Sequence, residues 1–217
     1  MHFEVPKSKK LREFASEYVM IVISIATALA LEHVVQTQHH KHLGEEAAER
    51  MQAELRATLD EVAKVSAHNK AQIVLNDKLR EAVLKDILDK VPDKTAMLNF
   101  FNASKGEFSI SVQVPSYKHE AWDVAVANQS ASWMKAEELQ RYSSAYSAIR
   151  DSQQLSTVGM NFLSGSDYLR TMAELQMGTS NPRDLYQMLS RMSFSYQQIN
   201  NSLRELKEQL DKAVKPL

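Results

Sequence analysis

The chain has 217 residues, with 26 basic and 27 acidic side chains and a formal net charge of −1, so it carries no electrostatic footprint for nucleic acid. It contains no cysteine, which excludes disulfide staples and thiolate chemistry. With only 5 glycines and 5 prolines there are few places to turn, and the expected class is all-α, built from long helices.

Residues 1–12 form a basic tail containing Lys7, Lys9, Lys10 and Arg12. A transmembrane anchor is expected over 13–36, centred on the uncharged run YVMIVISIATALAL at 18–31. That run alone makes a helix of about 21 Å, short of the ~30 Å hydrocarbon core. Extended from Phe14 to Val35, the apolar helix rises about 33 Å and crosses it. Glu17 and Glu32 then lie just inside the two interfaces, where a carboxylate can reach headgroup water. Two other readings fit part of the pattern. A cleaved signal peptide has a similar basic start and apolar length, with Ala28-Leu29-Ala30 as an acceptable cut site, and would leave a secreted helical domain. A buried core helix also suits a run of this size. For the anchor, the basic flank puts the N-terminus in the cytoplasm and the domain outside, which means the periplasm for a protein of a bacterial inner membrane.

One face of this helix is distinct. At 100° per residue Glu13, Glu17, Ser24 and Thr27 share a side, with Glu32 at its edge. Small residues also recur four apart, Ser24 with Ala28 and Ala26 with Ala30, the spacing that lets helix backbones approach in lipid. The stripe of Glu17, Ser24, Thr27, Ala28 and Glu32 is therefore the expected surface of homo-oligomer formation within the bilayer.

A long helix or stalk is expected over 37–91, with Met51, Leu55, Leu59, Val62, Val65, Ile73, Leu79, Val83, Ile87 and Leu88 at helical spacing. Ser66, His68, Asn69 and Gln72 interrupt that stripe. They imply a slight bend, or a coiled-coil seam on which Asn69 sets register. Pro92 ends the helix, and a helical bundle over 92–217 is expected to pack back on it. A short helix covers 95–102. The alternating EFSISVQVP at 107–115 reads as one short strand or an extended arm, which must lie against helices or another chain. Ser116 is placed to cap a helix running to about Gln129, and a longer helix is expected from near Ser132 to Leu163, weakened at Gly159. Another at 167–177 ends at Gly178. Asn181-Pro182-Arg183-Asp184 has the form of a helix start, with a cap, Pro at the first position and an acid in the first turn. It opens a last helix to about Val214, expected to run antiparallel to the long one.

Glu13-Phe14, Glu17-Tyr18 and Ile21-Val22, followed by the apolar run, combine with Ala121-Trp122-Asp123-Val124-Ala125 and the spaced Leu139, Tyr142 and Tyr146. In these features the chain resembles a family of uncharacterised bacterial single-pass membrane proteins, with one N-terminal membrane helix and a helical extracytoplasmic domain. The resemblance covers the anchor and residues 117–150. It implies architecture and location and supplies no catalytic residue.

Candidate chemistry is sparse. His33, His39, His40 and His42 include imidazoles on a shared helix face with Glu45 and Glu46, but no acidic cluster completes a metal site, and a solvated collar explains them. His119 and Asp123, four apart, suit a surface ion pair at least as well as acid–base catalysis. No serine sits in a G-x-S-x-G elbow and no Gly-rich phosphate loop occurs. Trp122, Trp133, Tyr142 and Tyr146 read as core or interaction aromatics. The expectation is a non-enzymatic, cofactor-free structural or interaction protein, held in the lipid bilayer, self-associating and presenting its bundle to another envelope protein. The alternative is a bundle that holds a small ligand between its helices.

Overall fold

The computed structural model describes residues 8–105, 111–161 and 165–214. Helix α1, Ser8–Leu88, is 81 residues long and rises about 120 Å. It runs unbroken through the polar stretch at 66–72 and joins the expected anchor to the expected stalk without an interruption at 36–42. From Arg12 to His39 every side chain is exposed. Beyond them begins a buried stripe comprising Ala47, Met51, Leu55, Thr58, Val62, Val65, Asn69, Asn76, Leu79 and Val83. From Leu55 onward its steps of three, four or seven average 3.5 residues, the period that keeps one seam of a helix facing a neighbour.

The neighbour is helix α6, Pro182–Ala213. Leu185, Leu189, Met192, Tyr196, Ile199, Leu203, Leu206, Leu210 and Ala213 are all buried on it and alternate steps of four and three. The two helices run antiparallel. Gln52 Nε2 donates to the Val214 carbonyl at 3.3 Å, Ser66 Oγ to Asn200 Oδ1 at 2.9 Å, and Asn76 Nδ2 to the Leu189 carbonyl at 3.0 Å, so a step up α1 matches a step down α6. Asn181 caps α6, its Oδ1 accepting the Asp184 N–H at 3.0 Å, with Pro182 in the first turn.

Helix α1 stops where Lys90 takes a positive φ of 56°. The Lys90 N–H donates to the Ile87 carbonyl and the Val91 N–H to the Asp86 carbonyl, which satisfies the last turn. Pro92 then precedes α2, Asp93–Ala103. After residues 106–110, which lie outside the described set, 111–119 follow without regular secondary structure. The segment read as a strand or arm is therefore an arm at 111–115, its 107–110 part lying outside the described residues. No strand occurs among the described residues, and the fold is all-α.

Helix α3 is Glu120–Ala127. Ser116 does not cap it; the Ser116 N–H donates instead to Glu61 Oε1 at 2.8 Å. The helix expected from near Ser132 to Leu163 is α4, Ala136–Asn161, which starts later than expected because a 3-10 turn, Ser130–Trp133, precedes it; Leu163 lies outside the described residues. Helix α5, Ser166–Met177, ends at Gly178 with φ 68°, a left-handed position that favours glycine. Two cores stack along the α1–α6 pair. The lower joins Met51 to Val65 of α1 with Ile199 to Ala213 of α6, Tyr142, Tyr146 and Ile149 of α4, and Ala125. The upper joins Leu79 and Val83 with Phe100 of α2, Leu175 of α5, and Leu185 to Tyr196. Val112 of the arm packs against both.

Candidate functional site

The most distinctive surface is the bare lower half of α1. It contains an 18-residue window of mean hydropathy 2.0, none of it buried, and Phe14, Tyr18, Met20, Ile23, Leu31 and Val35 are each 59–70% exposed. It is the one helix among the described residues long and apolar enough to cross a membrane. Glu17, Ser24, Thr27, Ala28 and Glu32 all lie on it, exposed. Ser24 Oγ donates to the Met20 carbonyl at 2.8 Å and Thr27 Oγ1 to the Ile23 carbonyl at 2.8 Å. Both hydroxyls are thus satisfied inside the helix, and lipid imposes no need for a partner on them. Glu32 Oε1 accepts from Gln36 Nε2 at 3.1 Å. Arg12 is exposed at the lower end, Lys9 and Lys10 belong to the first turns of α1, and Lys7 lies outside the described residues.

Where the bare half meets the bundle, the His40 and Trp133 rings stack with centroids 3.6 Å apart and planes 7° from parallel. Gly44 makes this possible. A Cβ there would lie 2.8 Å from the Trp133 carbonyl oxygen, so glycine serves here as a contact point and not as the weak spot its helix propensity suggests. Trp133 stays 45% exposed. Among the described residues no three His, Asp or Glu side chains converge in a metal-binding group.

Higher up, polar side chains of α1 hold the arm. His68 Nε2 donates to the Ser111 carbonyl at 2.8 Å. Asn69 Nδ2 donates to the Gln113 carbonyl at 2.8 Å, and the Gln113 N–H donates back to Asn69 Oδ1 at 3.0 Å. Glu61 takes the Ser116 N–H, and Glu54 Oε2 takes the Ala121 N–H at 3.1 Å. Glu54 thereby caps α3 from another helix, since His119 at the N-cap makes no capping bond of its own. The polar residues that break the apolar stripe are its means of pairing an isolated extended segment. Glu54, Glu61 and His68 recur every seven residues, and that spacing is the signal from which these clips could have been found.

The aromatics separate. Tyr146 is buried, donates to Glu54 Oε1 at 2.8 Å and stacks with Trp122 at 5.5 Å. Burial, helped by Glu54, pushes its phenol far above the usual range. Burial likewise raises Tyr196 and Tyr168, while a backbone hydrogen bond holds exposed Glu120 below the carboxylate range. Tyr142 is buried with the Arg141 guanidinium 5.1 Å from its ring centre. Trp133 joins none of these. Tyr117 Oη meets Ser156 Oγ at 2.6 Å, and Ser202 Oγ donates to Ser152 Oγ at 3.0 Å, which ties the arm and α6 to α4. His119 Nδ1 and Asp123 Oδ2 are 2.6 Å apart on the exposed start of α3, a surface ion pair four residues apart. Open grooves of about 570 Å³ and about 430 Å³ lie beside Trp122, Val126 and Leu139 and between α4 and α6. No family model matches the chain, and no curated protein or solved structure matches it either.

Proposed function

We propose that this is a single-pass membrane protein, non-enzymatic, which self-associates through its anchor and presents the α1–α4–α6 bundle to a partner in the bacterial envelope. The observation that carries the reading is the bare apolar half of α1: a folded water-facing bundle continues into about 33 Å of helix that nothing among the described residues covers. A bilayer covers such a surface completely. The unbroken course of α1 through Ala28-Leu29-Ala30 supports an uncleaved anchor, and Lys9, Lys10 and Arg12 below the span support a cytoplasmic N-terminus with the bundle in the periplasm. The likeness to single-pass bacterial membrane proteins is consistent with this architecture.

Because the chain lacks cysteine, single introduced thiols test both parts. With an impermeant maleimide on intact cells stripped of their outer membrane, Lys64→Cys is expected to label and Ser8→Cys to label only after lysis. Labelling of Ser8→Cys from outside would reverse the topology. For association, Ser24→Cys on the polar stripe should cross-link to dimers under mild oxidation while Val22→Cys, on the opposite face, does not. Equal cross-linking of the two, or none from either, would remove the stripe as an interface.

A further inference from the structure

Trp133 is large, nearly half exposed and excluded from both cores, yet it is held firmly, with His40 stacked on one face and its backbone pressed on Gly44. Its height is set by α1. The apolar run ends at Val35, and the helix continues without a break, so the Cα atoms of His40 and Gly44 lie about 8 and 14 Å further along. Helical side chains lean toward the N-terminus, which lowers the His40 ring, and Trp133 with it, by part of a turn. The headgroup layer on each side of the ~30 Å core is roughly 5–8 Å deep.

The chain order agrees with this placement. Helix α3 descends along α1, with Ala121 bonded at Glu54 and the 3-10 turn resting at Gly44. Helix α4 then climbs, with Tyr146 at the level of Glu54. Among the described residues the turn between them is the lowest part of the bundle. Lys135, Glu137 and Glu138 follow it in sequence, and Lys41 and Glu45 flank His40 and Gly44 on α1, a mixture of signs that gives no strong attraction to anionic lipid and leaves the tryptophan as the main contact.

We infer that the 3-10 turn Ser130–Trp133 is the foot of the bundle on the bilayer, with the Trp133 ring, braced by His40, seated in the lipid headgroup layer. Indole is well suited to this zone, because its ring is apolar and its N–H remains within reach of water and ester oxygens. The foot fixes the tilt and rotation of the bundle relative to the membrane plane, which a single helix leaves free. The inference rests on the spanning reading of α1.

The test uses the full-length protein in phosphatidylcholine vesicles, with flotation and tryptophan fluorescence read on the same sample. In Trp122→Phe the remaining Trp133 is expected to be quenched at least about twofold more by a nitroxide at the headgroup or shallow acyl position than by one near the chain terminus. In Trp133→Phe the remaining Trp122, some 20 Å higher on the α1 scale, is expected to show no such preference. Wild type carries both reporters and should give the same preference at reduced amplitude, which guards against misfolding of either variant. Flotation with Trp133 open to aqueous iodide and untouched by lipid nitroxides would overturn the foot alone. Shielding of Trp133 from both quenchers would mean that a second copy or the bundle covers it, and would also overturn the foot. Failure to float would overturn the spanning reading and the foot together.

Discussion

Below Gly44, helix α1 exposes every described side chain from Arg12 to His39; above it, side chains three, four or seven apart are buried against α6, α4 and the elements around them. Both halves share one uninterrupted backbone, so helix propensity does not separate them. Pattern does. The lower half is apolar around most of its circumference, with Glu17, Ser24 and Thr27 confined to one side, which suits a solvent that is itself apolar. The upper half buries its apolar groups along one seam of 3.5-residue period, which suits packing on one side against α6 and the elements beside it, with water on the others. Polar groups behave differently too. In the lower half Ser24 and Thr27 turn inward to their own carbonyls, whereas in the upper half His68, Asn69 and Asn76 reach out to the backbone of other segments.

Substitutions in each half should therefore affect separable properties. Leu203→Ala, at a fully buried position facing the α1 seam, is expected to cost about 2–5 kcal/mol of bundle stability, seen as a lower thermal midpoint in detergent with membrane retention unchanged. Ile25→Arg, at the middle of the apolar half, is expected to cost about 3 kcal/mol of insertion, seen as loss from the carbonate-washed membrane pellet while the bundle keeps its midpoint. If either variant moved both properties alike, the two halves would not be independent.

Asn69→Ala sharpens the comparison at the boundary between packing and polar pairing. It leaves the N–H and carbonyl of Gln113 without their partner, a loss of about 1–3 kcal/mol. Amide exchange should accelerate at residues 111–116 and change little in α6. An unchanged rate at Gln113 would mean that Val112 packing alone holds the arm. The smallest expected effect is at the end of the upper half. Lys90→Gly removes a β-carbon from a left-handed residue and should raise stability by about 0.5–1 kcal/mol, measured by thermal melting; a fall would show that the Lys90 side chain contributes more than its strained backbone costs.

Much of this architecture was legible locally. The all-α class follows from sparse Gly and Pro. The Asn181-Pro182 start and the Gly178 stop act through their own neighbours, and the seam of α6 repeats steadily enough to be read from its leucines. What was hidden depends on distant partners. Ser116 has the composition of a cap, but Glu61 claims its N–H, and α3 is capped by Glu54 instead. Gly44 and Gly159 look like weak points in helices, yet a Cβ at Gly159 would lie 2.7 Å from Ile199 Cγ1 and one at Gly44 would strike the Trp133 backbone, so each marks a close approach. The stack of His40 on Trp133 joins residues 93 positions apart, and no period in the sequence encodes such a pair.

The central claim is that α1 is one intact helix whose lower half remains in the membrane. The most direct test is the intact mass of C-terminally tagged protein, taken separately from carbonate-washed membranes and from the soluble fraction. The account expects the full 24.6 kDa chain, plus the tag, in the membrane pellet. A soluble product beginning near Leu31 would contradict it, because the apolar half would then be a cleaved signal and the bundle a free secreted domain.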